Sequence, residues 1–329
     1  MLRTAADAPD LEYGRPPEPM RGGFWAELLS FSLADPPDAW PAELVARLMP
    51  DPVSARKETI VQRAVAAAGF PTPPVRVSGG ADDGLGRAFM VMDRAAGSQP
   101  LAGLDTKLTP AVVLRVLRQV PGLLATSMAR LHALDPDLVR DELGQVRDVP
   151  VTIPGLLTAL VRFASELGRP DLADAGRWLA DHPLRPAPDV ICHGDLHPFN
   201  LLAGPGGTAT VLDWSAALLG PRAYDVAFTT VILTDPPVAV PARLRPVAGA
   251  AGRMLSRRFE RRYRHHSGVA IDPGSLRWHQ ALIRLRALVE VAGWGTSERA
   301  QRNGHPWLVS GPAFAARISR LTRVRVLPH

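Results

Sequence analysis

The stretch Val190-Ile191-Cys192-His193-Gly194-Asp195-Leu196-His197-Pro198-Phe199-Asn200, answered by Val211-Leu212-Asp213-Trp214, decides how the rest of the chain is read. After Asn200 come an apolar run (Leu201, Leu202, Ala203), a turn cluster (Gly204-Pro205-Gly206-Gly207) and a β-prone run from Thr208 to Leu212. That order predicts a hairpin closed at the turn cluster. With Ala203 facing Thr208, the register sets Asn200 opposite Val211 and returns Asp213 to the side of the loop that carries Asp195. Neighbouring strands lie about 5 Å apart. Asn200 and Asp213 can therefore share one Mg2+, a hard cation that takes oxygen ligands and keeps phosphates and waters as the others.

Asp195 and Asn200 stand as D-x-x-x-x-N, the spacing of the phosphoryl-transfer loop of protein kinases. Together with Leu212-Asp213-Trp214, the segment from His193 to Asn200 resembles the motif of the aminoglycoside phosphotransferase and choline kinase superfamily. These are small-molecule kinases with a protein-kinase-like fold. The resemblance implies ATP as donor, Asp195 as the residue that orients an acceptor hydroxyl and takes its proton, and Asn200 and Asp213 as Mg2+ ligands.

Other segments extend the likeness. Glu58, followed by Gly69-Phe70-Pro71-Thr72-Pro73, resembles the N-lobe helix whose glutamate pairs with a basic residue on the preceding strand. Here that partner is Arg47, where many kinases carry lysine; arginine keeps the charge and can fork onto phosphate oxygens. Ala88-Phe89-Met90-Val91-Met92-Asp93 resembles the strand leading to the hinge, with the main chain of Met92 and Asp93 where adenine docks. Gly22 and Gly23, before the first strand run, leave room for backbone N–H groups to approach a polyphosphate. Met128 to Leu134 resembles a helix-ending L-x-x-L-H motif, which makes His132 a buried structural histidine. Gly220-Pro221-Arg222-Ala223-Tyr224-Asp225 resembles the family's G-D-P-x-x-D, with Pro221 and Arg222 in place of Asp-Pro. Asp225 is expected to anchor the catalytic loop and to order His193.

Strand signals concentrate before residue 100 and helical ones after it. Lys57–Ala68, Thr109–His132, Pro154–Leu167 and Asp171–Asp181 read as helices, the second divided or kinked at Pro121-Gly122. The expected fold is α+β and bilobal, with a small β-rich N-lobe and a larger, mainly helical C-lobe. Residues 1–19 mix acids and prolines without an apolar run, which reads as a flexible leader and not a signal peptide. The nucleotide lobe is then 20–92 and the catalytic and substrate lobe 93–329.

The chain has 329 residues, 46% hydrophobic and 21% charged, which suits a globular protein with a substantial core. No apolar run reaches the roughly 18 residues of a membrane span. The single cysteine, Cys192, excludes an internal disulfide framework and fits a reducing cytoplasm. The pI near 10.3 raises nucleic acid as a partner. The densest cluster, Arg253, Arg257, Arg258, Arg261, Arg262 and Arg264, reads instead as a solvated helix face.

Two rival functions remain at this level. A metal-dependent hydrolase could use the alternating His193, Asp195 and His197, but this leaves Asn200 and Asp213 unexplained. A catalytically silent nucleotide-binding member of the family is suggested by Arg47 and by the altered segment before Asp225. Aminoglycosides are polycations and call for carboxylate-lined pockets. From residue 273 onward the only acids are Glu290 and Glu298, against nine arginines, with Trp278, Trp294 and Trp307 among them. That composition suits a neutral or anionic small-molecule acceptor.

Overall fold

The structure is a computed structural model that describes residues 2–20, 26–101, 110–204, 207–237, 243, 245–295 and 305–328. In chain order the elements begin α1 (Leu2–Ala5), β1 (Tyr13–Pro19), β2 (Glu27–Leu33), β3 (Glu43–Met49), α2 (Pro52–Ala67), β4 (Val75–Gly79) and β5 (Ala88–Asp93). Then come α3 (Pro110–Leu131), α4 (Asp137–Gly144), α5 (Ile153–Glu166), α6 (Pro170–Asp181), β6 (Asp189–Cys192), β7 (Leu201–Ala203) and β8 (Ala209–Val211). The chain closes with β9 (Leu218–Pro221), α7 (Arg222–Thr234), α8 (Arg245–Ser267), α9 (Pro273–Trp294) and α10 (Gly311–Thr322). The α+β class expected from the sequence holds.

Contacts divide the chain into two compact units. The first is Met1–Ala102 with Pro136–Asp148 and Phe199–Ala217; the second is Gly103–Asp135, Val149–Pro198 and Leu218–His329. The division therefore does not follow the single boundary between residues 92 and 93 read from the sequence.

In the first unit five antiparallel strands lie in the order β1-β2-β3-β5-β4. Alternation along the strands gives the sheet two apolar faces: Phe31, Leu44 and Phe89 on one, Val45, Met90 and Met92 on the other. Helix α2 packs on the second face through Ala55. It starts where Asp51 accepts hydrogen bonds from the N–H groups of Val53 (3.2 Å) and Ser54 (3.0 Å), with Pro52 at the first position. Strand β1 replaces the flexible leader expected over residues 1–19. Its Pro16, Pro17 and Pro19 read as loop, yet an edge strand tolerates residues that cannot donate.

The β7–β8 hairpin belongs to this unit because hydrogen bonds tie it there. Ser98 and Ala203 exchange bonds of 3.1 and 2.8 Å, Val211 N–H donates to Pro71 O at 2.8 Å, and Trp214 Nε1–H donates to Thr72 Oγ1 at 2.9 Å. Its register differs by one residue from the sequence expectation. Leu201 faces Val211 and Ala203 faces Ala209, because Gly204 N–H closes the turn onto Thr208 O. Asn200 thus meets Leu212, whose N–H it accepts at 2.9 Å, and remains beside Asp213.

The second unit is a helical packing in which α3 meets α8 and α7 meets α8 and α9. Pro121 was expected to divide or kink α3; the helix is not divided there. A proline cannot donate to the carbonyl four residues back, which here is Leu117 O. Arg258 Nη1 on α8 donates to that oxygen at 3.1 Å and replaces the missing bond. Phe259 and Tyr263 of α8 are buried, while Arg253, Arg257, Arg261, Arg262 and Arg264 are exposed, as a solvated face requires. Strands β6 and β9 pair antiparallel. Among the described residues no helix is long and apolar enough to cross a membrane.

Candidate active site

Arg47 sits on β3 with its side chain on the α2 face, alternating with Val45 and Met49. The guanidinium is 7% exposed and lies between two carboxylates. Its Nε is 3.3 Å from Glu58 Oε1, an ion pair without hydrogen-bond alignment. Its Nη1 and Nη2 fork onto Asp213 Oδ2 and Oδ1 at 3.2 and 3.1 Å. Burial works against the charge of Arg47, but the fields of Glu58 and Asp213 outweigh it and hold its pKa above the ordinary value. Glu58 is fully enclosed; burial pushes its pKa up to about 7, and Arg47 only partly offsets this.

Asp213 adopts a left-handed conformation, φ 65°, uncommon for a residue with a side chain. Its Oδ1 also accepts from Ser215 N–H (3.2 Å) and Ser215 Oγ–H (2.6 Å), a local turn that offsets the strain. The carboxylate is 26% exposed, and these residues border a cavity of about 290 Å³. Apolar groups line the rest of it, among them Leu28, Val45, Met92, Leu202 and Leu212. Gln62 Nε2 donates to Pro73 O at 2.8 Å and touches Met92 Sδ at 3.5 Å, which fixes that wall. Along the rim, Asp93 N–H already donates to Pro74 O and Arg94 N–H to Glu43 O. The Asp93 carboxylate is held by Arg76 at 2.6 and 2.7 Å. Gly22 and Gly23 lie outside the described residues.

In the second unit Asp195 lies on the loop after β6. Gly194 turns that loop with φ 74°, a conformation available to glycine at little cost. Asp225, with no exposure, clamps the loop: Oδ2 accepts from His193 N–H at 2.8 Å and Oδ1 from Gly194 N–H at 2.7 Å. His132 Nε2 lies 3.1 Å from Asp225 Oδ2, and its Nδ1 is 2.8 Å from Tyr263 Oη. With Asp225 ionised, the consistent tautomer donates from Nε2 and accepts the tyrosine proton at Nδ1. Burial disfavours the Asp225 carboxylate, but the hydrogen bonds from His132 and from the Gly194 N–H hold its pKa below the usual range. His193 Nδ1 in turn accepts from Asp195 N–H at 3.3 Å. Asp195 is 29% exposed, and its Oδ2 is 3.5 Å from His197 Nε2.

Sequence reading missed Arg286 on α9. Its Nη1 donates to Gly194 O at 2.9 Å and its Nε to Glu290 at 2.7 Å. Burial opposes its charge, but Glu290, Tyr224 and Asp195 together hold its pKa above the ordinary value. No local motif marks it, since one arginine among many on a helix looks like solvated surface. The tryptophans of the last segment divide. Trp294 is core, Trp307 packs tilted against Phe314 with ring centroids 5.3 Å apart, and Trp278 donates from Nε1 to His182 O.

Among the described residues the group with metal-ligating potential is His132, Cys192 and Asp225, not His193, Asp195 and His197. Two of the three are spent in the hydrogen-bond chain under the loop, and burial raises the Cys192 pKa well above its ordinary value. The hydrolase reading therefore finds no site.

Residues 34–266 match the Phosphotransferase enzyme family, and the chain belongs to that family. No curated protein sequence matches it. Among solved structures it is similar to a thermostable mutant of aminoglycoside phosphotransferase APH(4)-Ia in complex with ADP and hygromycin B. That match has a TM-score of 0.62 at 18% identity, covering 98% of this chain and 97% of that one. Macrolide 2'-phosphotransferase MphH from Brachybacterium faecium matches with TM-score 0.55 at 20% identity, over 96% and 97% of the two chains. An ethanolamine kinase from Plasmodium vivax gives 0.59 at 13% identity, over 97% and 85%. At these identities the likeness establishes the fold.

Proposed function

We propose that this protein transfers the γ-phosphoryl group of ATP to a hydroxyl of a small molecule. The observation that carries the reading is one buried guanidinium, Arg47, held between Glu58 and Asp213 on the wall of an apolar cavity. The apolar walls suit a nucleotide base. Because Asp93 and Arg94 N–H are bonded elsewhere, the backbone at Ala95, also on the cavity wall, is the better base contact than the Met92 and Asp93 main chain. Arg47 would leave Asp213 for phosphate oxygens as the nucleotide arrives, with Glu58 holding it in place.

Asn200 and Asp213 fit Mg2+: both are hard oxygen donors, and Asp213 is only partly enclosed. When bound, the ion would neutralise phosphate charge at that edge of the cavity. Asp195 orients the acceptor hydroxyl and takes its proton as the new O–P bond forms and the bond to the β-phosphate oxygen breaks, releasing ADP. Positioning is the main demand of such a reaction, which is why the Asp225 clamp on His193 and Gly194 matters. The acceptor is neutral or anionic, given the arginine-rich segment from residue 273 onward, and the single cysteine suits a reducing cytoplasm.

The test is thermal stability with Mg2+, ATP and both, followed by ADP release in an acceptor screen. Ligand at about 100 times its Kd stabilises by roughly 2.7 kcal/mol. Asp195→Ala should keep the Mg·ATP shift and lose transfer, whereas Asp213→Ala should lose the shift itself. Kanamycin-type amines should be poor acceptors; robust turnover of them would refute that part. The Arg47–Asp213 fork also supports a second reading, a silent nucleotide binder whose metal ligand is already engaged. A Mg·ATP shift without turnover on any acceptor would favour it.

A further inference from the structure

Between helices α9 and α10 lies an open cleft of about 340 Å³ bordered by Arg277, Gln280, Arg284, Arg317 and Arg320. All four arginines lie in the segment from residue 273 onward, but none lines the nucleotide cavity described above. We propose that this cleft is a binding site for a phosphate group, either free phosphate or the phosphoryl end of a small phosphomonoester.

The charge balance points that way. Four arginines line the cleft, and one carboxylate, Asp235, answers them. Asp235 is shared: Arg317 Nη2 reaches its Oδ1 at 3.0 Å and Arg284 Nη2 its Oδ2 at 3.6 Å. Among the described residues Arg320 bonds only the Ala316 carbonyl of its own helix, and Arg277 has no ion pair. The cleft thus carries a cationic excess that a dianion would balance better than a single carboxylate.

Arg284 is the built part of the site. It is 6% exposed, packs its guanidinium 5.9 Å above the Phe314 ring and donates from Nη1 to Gln280 O at 3.2 Å. Its Nε is buried and has no hydrogen-bond partner among the described residues. A buried, incompletely bonded guanidinium is costly unless further negative charge reaches it. Its pKa agrees: burial, then the charge of Arg317, push it down to about 10, and Asp235 only partly restores it. Arginine forks match the oxygens of phosphate, and the volume leaves room for a small organic remainder beside it.

The experiment is calorimetric titration of the full chain with inorganic phosphate at constant ionic strength, with saturating Mg·ATP present so that the other cavity is occupied. Saturable binding is expected. Arg277→Ala with Arg320→Ala, both at exposed positions, should weaken it by about tenfold or more while leaving the Mg·ATP thermal shift unchanged. Glycerol 3-phosphate binding about tenfold tighter than phosphate would assign the site to a phosphomonoester; equal binding would assign it to the free ion. Absence of saturable binding of either below about 10 mM, or binding unaltered in the double variant, would overturn the proposal.

Discussion

Replacing Asp225 by asparagine changes one oxygen to NH2 at a group with no exposure. The carboxylate receives three donors: His193 N–H, Gly194 N–H and His132 Nε2. Oδ2 takes two of them and Oδ1 one. An asparagine turned to keep the pair at Oδ2 sets its NH2 against Gly194 N–H, leaving two donors facing each other in a buried space. Each stranded donor costs about 1–3 kcal/mol, and the two surviving bonds lose their charge assistance at about 0.5–1 kcal/mol each. The expected loss is about 3–8 kcal/mol. Urea denaturation followed by tryptophan fluorescence measures it against the unaltered protein. The nucleotide cavity borrows nothing from Asp225, so the Mg·ATP thermal shift should persist while transfer falls with the loosened Asp195 loop. A stability loss below about 1 kcal/mol would refute the clamp, because it would mean the loop N–H groups find other partners at no cost.

Three further outcomes are expected. Arg258→Ala should cost about 1–2 kcal/mol by orphaning Leu117 O; adding Pro121→Ala returns an N–H to that oxygen and should make the arginine change nearly silent. Independent, additive effects in that cycle would exclude the replacement bond. His279 is buried, and its pKa lies at about 4, below the ordinary 6.5, because burial penalises the imidazolium. The unfolded chain therefore binds the proton first, and stability should fall by about 3 kcal/mol as pH drops from about 6.5 to about 4. His279→Leu should flatten that slope, and an unchanged acid limb would sink the assignment. Glu58→Gln keeps the shape but removes the charge beside Arg47. Nucleotide affinity should weaken while the fold holds, since burial already favours the neutral carboxyl; a fall in stability above about 2 kcal/mol would contradict this.

What could be read from the sequence was what local chemistry dictates. Strands β3 and β5 and the end of α2 at Gly69 follow from alternation and turn residues. That Asn200 and Asp213 flank one hairpin follows from spacing within one segment. Errors arose where distant partners decide the outcome. Tyr13–Pro19 is a strand because β2 offers it an edge, and its prolines concealed that. Helix α3 passes through Pro121 because Arg258 arrives from another helix to supply the lost donor. The hairpin slipped by one residue because Thr208 joins the turn instead of the ladder. Arg286 and the Arg284 cleft could not be separated from other helix arginines until burial and neighbours distinguished them.

The discontinuity of the sheet-bearing unit has a consequence for biosynthesis. Residues 1–102 leave the ribosome before the cavity walls Leu202 and Leu212, which together with Asp213 belong to the segment Phe199–Ala217 of the same unit. At ordinary elongation rates the nascent sheet waits roughly 6–23 s for them. Throughout that interval Arg47 and Glu58 face each other without their third partner, and the apolar lining around Val45 and Met92 is unroofed. Chaperone capture or nucleotide rescue should accordingly act on chains stalled between these two points, and chains released past residue 217 should escape it.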